Sequence, residues 1–263
     1  MGYIRPTLEE YIEDTIPPVK HFITEYFFQK VTERVLEEIK PENGRKILDL
    51  AGGMGIDACI LSKRGFDVIV VEPMARMVGF SAKYHALNGA HSEHVRGYAE
   101  ELPLRGESVN QVLCKGSLDH FLDPHTSLLE IKRVLKPGGL LVAAVANYDS
   151  LSCVLSKMIL SVKASIFGED KNAPRPHHEI PSDHISRFNA RNFRSIIGEY
   201  FIIRKEIGIG ALWGVPYLNL FFDRIDRKIA KKILGIVYKT VETVPSLADM
   251  CLIVAQKAVL KWS

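Results

Sequence analysis

The 263-residue sequence predicts an α/β fold with a doubly wound, mostly parallel sheet. Residues 46–50 form an apolar strand pattern, residues 51–55 (AGGMG) form a glycine-rich turn, and the following helical pattern runs to about residue 64. A second apolar strand pattern at residues 67–71 ends in Glu72, at the separation that one strand–helix–strand unit requires. Because glycines let the main chain approach a ligand closely, we expect a nucleotide-like ligand over residues 51–55.

Residues 1–40 are predicted to form a helical cap ahead of this unit. Pro17 and Pro18 separate two helical patterns, and the second pattern can place its apolar residues on one face. These residues are Phe22, Tyr26, Val31, Val35 and Leu36.

Strand and helix patterns alternate through the middle of the chain. We predict a helix at residues 74–87, a third strand at 94–97, a fourth at 109–115 and a helix at 124–135 that has Pro124 near its start. Residues 136–139 (KPGG) are predicted to stop that helix. The continuous apolar run at 140–146 is typical of a strand buried on both faces.

The alternation changes after Asn147. Residues 151–167 are largely apolar and residues 168–183 form a proline-containing polar loop, so we predict a lid insertion at about 150–188. A helix at 189–200 and strands at 201–209 and 252–255 complete the pattern. A single amphipathic helix is predicted at 217–243, within a helical insertion at about 213–245. Its apolar face is assigned to Phe221, Ile225, Ile229 and Ile233.

Composition is typical of a folded soluble protein, with 47% hydrophobic and 25% charged residues. The net charge of +3 is spread along the chain, so we expect no nucleic-acid partner. The cysteines lie far apart in apolar surroundings and are predicted to be reduced core residues of a cytoplasmic protein. They are Cys59, Cys114, Cys153 and Cys251. The oligomeric state stays open between a monomer and a homodimer.

Four stretches, in order, resemble the motifs of class I S-adenosylmethionine (SAM) dependent methyltransferases. They are residues 49–55 (DLAGGMG), 70–72 (VVE), 97–103 (GYAEELP) and 133–139 (RVLKPGG). They are most similar to the small-molecule group that includes the ubiquinone and menaquinone C-methyltransferases, whose glycine turn often reads Ala-Gly-Gly-x-Gly. The resemblance covers residues 45–147. An NAD-type dinucleotide site is the nearest alternative, but the turn does not have the G-x-G-x-x-G pattern.

The resemblance implies a Rossmann-like, mostly parallel sheet of seven strands with an antiparallel last strand, surrounded by cap and lid helices. Residues 41–263 would form the methyltransferase domain. SAM would be the methyl donor and S-adenosylhomocysteine the product, and the acceptor would be a small apolar or aromatic molecule methylated at oxygen, carbon or nitrogen. Two alternatives stay open here: an RNA or protein methyltransferase, and a non-catalytic module that binds SAM.

The resemblance also implies the cofactor-binding residues. The backbone of the glycine turn would run beside the methionine part of SAM, Asp49 would orient its amino group and Glu72 would hold the ribose. Tyr98 stands where the family usually has an acidic residue that contacts adenine, so its ring or hydroxyl and the backbone of Ala99 would take that role. The predicted set is Asp49, Ala51, Gly52, Gly53, Gly55, Glu72, Tyr98, Ala99 and Lys115.

Methyl transfer from a sulfonium mainly requires alignment of the reacting atoms and exclusion of water. An oxygen or activated-carbon acceptor also needs a general base, and His120, in the loop after the fourth strand, is the first candidate. Asp119 is a candidate to orient that imidazole, and His184 is the alternative base. Each of these residues could instead have only a structural role in its loop.

Two further groups of residues have side chains that could bind a ligand. The first group consists of histidine and aspartate residues, which are common metal ligands, but their spacing matches no metal signature, so no metal is predicted. Its members are His177, His178, Asp183 and His184. The other consists of tyrosines in the N-terminal segment, which in the resembled family covers the cofactor site and touches substrate. Its members are Tyr3, Tyr11 and Tyr26.

The basic amphipathic segment at 217–243 and the apolar segment at 151–167 have two interpretations. They could cap the active site with their apolar faces toward the core. Alternatively, they could make weak contact with an anionic membrane surface.

Overall fold

The computed structural model of the protein describes residues 21–168, 179 and 184–259. Tyr3, Tyr11, His177, His178 and Asp183 lie outside the described residues. The strands of the described part are β1 (Lys46–Leu50), β2 (Asp67–Glu72), β3 (Ser92–Arg96), β4 (Val109–Lys115), β5 (Leu135–Ala146), β6 (Ile202–Ile209) and β7 (Met250–Gln256).

Helices cover both faces of these strands. They are α1 (Phe22–Leu36), α2 (Ile56–Lys63), α3 (Ala75–Leu87), α4 (Pro124–Val134), α5 (Leu151–Phe167), α6 (Ala190–Tyr200), α7 (Leu218–Arg224) and α8 (Arg227–Glu242). Short 3-10 turns lie at Pro41–Asn43, Leu118–His120 and Pro245–Leu247.

The strands form one sheet in the order β3-β2-β1-β4-β5-β7-β6. Strands β1 to β5 pair in parallel, whereas β7 is antiparallel to both β5 and β6. The predicted Rossmann-like sheet with an antiparallel last strand is therefore confirmed. Its order reverses between β1 and β4, and ligands of open α/β sheets bind outside the carboxyl ends of the strands at such a point.

Two cores lie on opposite faces of the sheet. Ile47 packs with α1, α2 and α8, while the next residue, Leu48, packs with α4 and α6. Successive side chains of a strand point to opposite faces, so this burial on both sides explains the near-continuous apolar runs of β1, β2 and β5. The predicted apolar face of α1 is buried, and the cysteines are buried and free, as expected.

The KPGG segment belongs to β5 and does not precede it, which corrects the predicted start of that strand. Leu135 already pairs with Val109, and pairing resumes between Leu140 and Gln111. The intervening residues form a bulge, in which Gly138 has a φ of 76°. Gly139 is required there because a Cβ would lie 2.9 Å from the Asn110 carbonyl oxygen.

The prediction of one helix at 217–243 is wrong. Helices α7 and α8 are separated by Ile225 and Asp226, and the Asp226 carboxylate caps α8 by accepting the N–H groups of Lys228 and Ile229. The assigned apolar face is also wrong, because Phe221, Ile229 and Ile233 are exposed. The residues of α8 that face the core are Ala230, Leu234, Tyr238 and Val241.

Candidate functional site

The glycine turn follows β1 and is shaped by close contacts that exclude side chains. Ala51 has a φ of 53° in the left-handed region, and its N–H donates to the Val71 carbonyl at 2.8 Å. At Gly55, where φ is 69°, a Cβ would lie 1.9 Å from the Ser81 hydroxyl oxygen. The Gly55 carbonyl oxygen lies 2.7 Å from Nε2 of the buried His85. Gly53 and Gly55 therefore adopt left-handed conformations that cost glycine little, whereas Ala51 adopts one at a steric cost.

Asp49 is buried beneath this turn. Within the described structure its Oδ2 atom is enclosed without a hydrogen-bond partner, and a Cβ on Gly52 would lie 2.7 Å from that atom. Burial raises the pKa of Asp49 to about 7; the charges of Asp57 and Glu72 add to the rise, and Lys115 opposes it. An unpartnered carboxylate oxygen beneath Gly52, which has no side chain, fits a cationic amino group.

Glu72 joins the end of β2 to the glycine turn. Its Oε2 accepts the Gly53 N–H and its Oε1 accepts the Met74 N–H, each at 3.1 Å. The side chain is buried, and each oxygen keeps a further lone pair. The carboxylate is therefore fixed in place and can still accept two hydroxyl donors, as the ribose of a nucleoside requires.

The remaining predicted cofactor residues differ in their surroundings. Residues 97–99 lie next to Glu72, because the Gly97 N–H donates to the Glu72 carbonyl at 3.3 Å. Ala99 is buried, whereas the ring of Tyr98 is 56% exposed. Lys115 forms an ion pair with Asp57, and its ammonium donates to the Thr32 hydroxyl at 3.1 Å. Lys115 thus bridges α1 and α2, and it influences Asp49 through its charge.

The loop after β4 carries the predicted catalytic residues. Asp119 is 2% exposed, and its Oδ2 lies 2.9 Å from Nδ1 of His184. The main-chain carbonyl of Asp119 accepts the N–H groups of Ile185 and Ser186, which fixes the His184 segment against this loop. The exposed imidazole of His120 has its centroid 4.2 Å from that of His184. The structure therefore brings all three predicted residues together.

Tyr148 completes this cluster and was missed by the sequence analysis. Its hydroxyl lies 2.9 Å from Nδ1 of His184, and the side chain is 5% exposed. Tyr148 comes two residues after β5, where the carboxyl end of the next parallel strand reaches the same edge as the loop after β4. This position, just after a predicted strand, is the sequence feature from which Tyr148 could have been identified as a site residue.

Asp119, His120 and His184 are also the described residues whose side chains could hold a metal. Their donor atoms lie within 4.8 Å of one another. One carboxylate and two imidazoles suit several divalent metals. The same three groups can also accept and relay a proton, with Asp119 fixing the tautomer of His184.

Tyr26 lies on the face of α1 that packs against α8. Its ring centroid is 5.4 Å from that of Tyr238, and the two residues line a cavity of about 320 Å³ together with Lys30, Arg34 and Lys239. The side chain is 7% exposed, so packing accounts for its position.

Comparisons with known proteins agree with this geometry. A family model described as a methyltransferase domain matches residues 48–143. The chain is 36% identical over 106 residues to an uncharacterized methyltransferase of Mycobacterium tuberculosis. It shows the same identity over the same length to a ubiquinone/menaquinone biosynthesis C-methyltransferase of Rubrivivax gelatinosus. Each match covers 40% of this chain and 41% of the relative, so the chain spans about two fifths of the length of these relatives.

The fold has a solved counterpart over most of its length. A chain in the Haloferax volcanii complex between the Trm112 methyltransferase activator and a methyltransferase matches with a TM-score of 0.60 at 19% identity. The match covers 90% of this chain and 92% of the other. At this identity the likeness concerns the fold alone.

Proposed function

We propose that the chain acts as a class I SAM-dependent methyltransferase and transfers the methyl group of SAM to a small acceptor. The observation that carries the proposal is the combination of three features: a glycine-rich turn, a buried unpartnered oxygen of Asp49 and the anchored carboxylate of Glu72. These groups lie beside the point where the strand order of the sheet reverses.

The residues that would hold SAM follow from their chemistry. Asp49 matches the amino group, the backbone of residues 51–55 matches the methionine chain, and Glu72 matches the ribose hydroxyls. Residues 97–99 would contact the adenine. When bound, the donor supplies a methyl group already activated by a sulfonium, so the chain itself needs to align the acceptor and exclude water.

Asp119 and His184 are proposed to remove the proton of an acceptor that has one to lose. Asp119 accepts the Nδ1–H of His184, which leaves Nε2 of that imidazole able to take a proton. The Tyr148 hydroxyl contacts Nδ1 of His184, and the ring of His120 packs against the ring of His184. His120 is the second candidate for the base, since it is the more exposed of the two imidazoles.

The acceptor class is proposed from the rings of this cluster. The centroids of Tyr148 and His184 are 6.0 Å apart, and those of His120 and His184 are 4.2 Å apart. A wall of aromatic rings with a few polar atoms favours a flat, apolar or aromatic acceptor that offers one ionisable group. A screen of quinone, phenol and amine acceptors by mass spectrometry would identify it.

Calorimetry with SAM and with S-adenosylhomocysteine tests the proposal. We expect both to bind, and we expect Glu72→Ala to remove binding because the ribose hydroxyls lose their acceptor. Glu93→Ala is a matched control, since Glu93 is an exposed glutamate of the neighbouring strand β3. The proposed donor site would be contradicted if neither compound produced binding heat, or if Glu72→Ala bound them as tightly as the wild type does.

A further inference from the structure

The outer face of α8 exposes apolar side chains that a folded protein normally covers. Ile229, Ile233 and Ile236 are 55%, 37% and 62% exposed. Phe221 of the adjoining α7 is 50% exposed. Single exposed hydrophobic residues are ordinary, but these recur at helical spacing and form a stripe. The core contacts of α8 come from its opposite face, through Ala230, Leu234, Tyr238 and Val241.

Lysines run beside this stripe. Lys228, Lys232 and Lys239 are exposed and pair with no carboxylate in the described part of the chain. The acidic residues of the same segment already have partners other than these lysine side chains. Asp223 contacts His21, Asp226 caps the N-terminus of α8, and Glu242 pairs with Arg34. The face therefore combines an apolar stripe with positive charge that its own acids do not neutralise.

Helix α5 presents a second apolar stripe. Val154, Met158, Val162 and Ile166 lie four residues apart and are between 47% and 66% exposed. The turn Pro245–Leu247 contacts both α5 and α8. Leu247 in this turn is 42% exposed, and Val244 just before it is 40% exposed. Exposed apolar residues are thus present on both helices and on the turn between them.

We propose that this surface, formed by the outer faces of α5, α7 and α8, docks the protein on an anionic membrane surface. An apolar stripe flanked by lysines is the pattern of a helix that lies in the membrane interface. No helix of the described part has the length and apolar character of a membrane span, so the contact is peripheral. A second copy of the chain fits less well, because a two-fold contact would place the same lysines against each other.

Co-sedimentation with lipid vesicles tests the docking surface directly. We expect the full-length protein to bind phosphatidylcholine vesicles that contain phosphatidylglycerol, and to bind pure phosphatidylcholine much less. Added salt should weaken binding, because the lysine contribution is screened. Lys228→Gln/Lys232→Gln/Lys239→Gln should reduce partitioning at least about tenfold, since each basic residue near an anionic surface adds to the attraction. Ile229→Asn/Ile233→Asn/Ile236→Asn should do the same by removing the inserted side chains.

Lys83→Gln/Leu87→Asn is the matched control. Both residues are exposed on α3, which packs at the other edge of the sheet, so this variant should bind like the wild type. Circular dichroism checks that each variant is folded. The proposal fails if the wild-type protein does not bind anionic vesicles at low salt, or if the control loses as much binding as the α8 variants. It also fails if sedimentation equilibrium shows that the isoleucine variant disrupts a dimer while vesicle binding is unchanged.

Discussion

The proposed donor and acceptor sides of the site are built in different ways. The proposed donor side takes most of its groups, including both carboxylates, from one short stretch, Asp49 to Glu72, which folds as a single strand–helix–strand unit. The proposed acceptor side takes side chains from three distant loops: Asp119, Tyr148 and His184. A local unit can keep one ligand constant, whereas a site assembled from separate loops can change its acceptor by changing those loops.

The largest effect is expected from Gly55→Ala, which attacks the donor side. A Cβ there would meet the Ser81 hydroxyl at 1.9 Å in a left-handed backbone. We expect a loss of about 2 to 4 kcal/mol of unfolding free energy and loss of SAM binding. Thermal unfolding and calorimetry measure the two effects. Gly79→Ala in α3 is the control, since a Cβ there meets no atom within 4 Å, and it should stabilise the protein slightly.

His184→Gln should impair the proposed acceptor side and leave the proposed donor side intact. It removes the proposed base beside Asp119 without touching the donor turn, so turnover should fall by about 10² to 10⁴ while the Kd for SAM stays unchanged. Tyr148→Phe should cost far less, because the imidazole keeps its contact with Asp119. Loss of SAM affinity in the His184 variant would show that the two sides are not independent.

The pH dependence of SAM affinity tests the proposed role of Asp49 on the donor side. Burial raises the pKa of Asp49 to about 7, and a cationic amino group favours the ionised carboxylate. SAM affinity should therefore rise as pH approaches 7, by up to about tenfold per pH unit, and then level. Asp49→Asn should weaken binding and flatten the curve, whereas Asp67→Asn at an exposed position should keep it.

The same pKa predicts the sign of a stability change in the donor-free protein. The folded state holds the Asp49 proton more tightly than the unfolded chain does, so this group contributes stability at low pH that is lost as pH rises through about 7. Thermal unfolding of Asp49→Asn and wild type across this range should show the wild type losing stability relative to the variant. The opposite trend would contradict the proposed protonation state.

Chelation should produce the smallest effect. If Asp119 and His184 act by proton transfer, as proposed, then EDTA treatment leaves turnover unchanged. A loss of turnover that is restored by a divalent metal would instead make the three-residue cluster a metal centre.

The sequence predicted the strand–turn–helix–strand geometry of residues 46–72 closely, because the features of this stretch are local. Buried strands, glycines at left-handed positions and an acidic residue at a strand end leave direct traces in the order of residues. The acceptor side left weaker traces, since the contact between Asp119 and His184 depends on how two loops fold against each other. The sequence of helix α8 was ambiguous for a similar reason. It contains two apolar stripes at helical spacing, and only the tertiary packing determines that the stripe with Ala230 is the buried one.

Amide hydrogen exchange with and without SAM tests the proposed donor site directly. The Gly53 and Met74 N–H groups both donate to Glu72, so we expect SAM to increase protection in the peptides covering residues 49–55 and 72–74. Protection confined to the cavity between Tyr26 and Tyr238, with no change at the glycine turn, would contradict it.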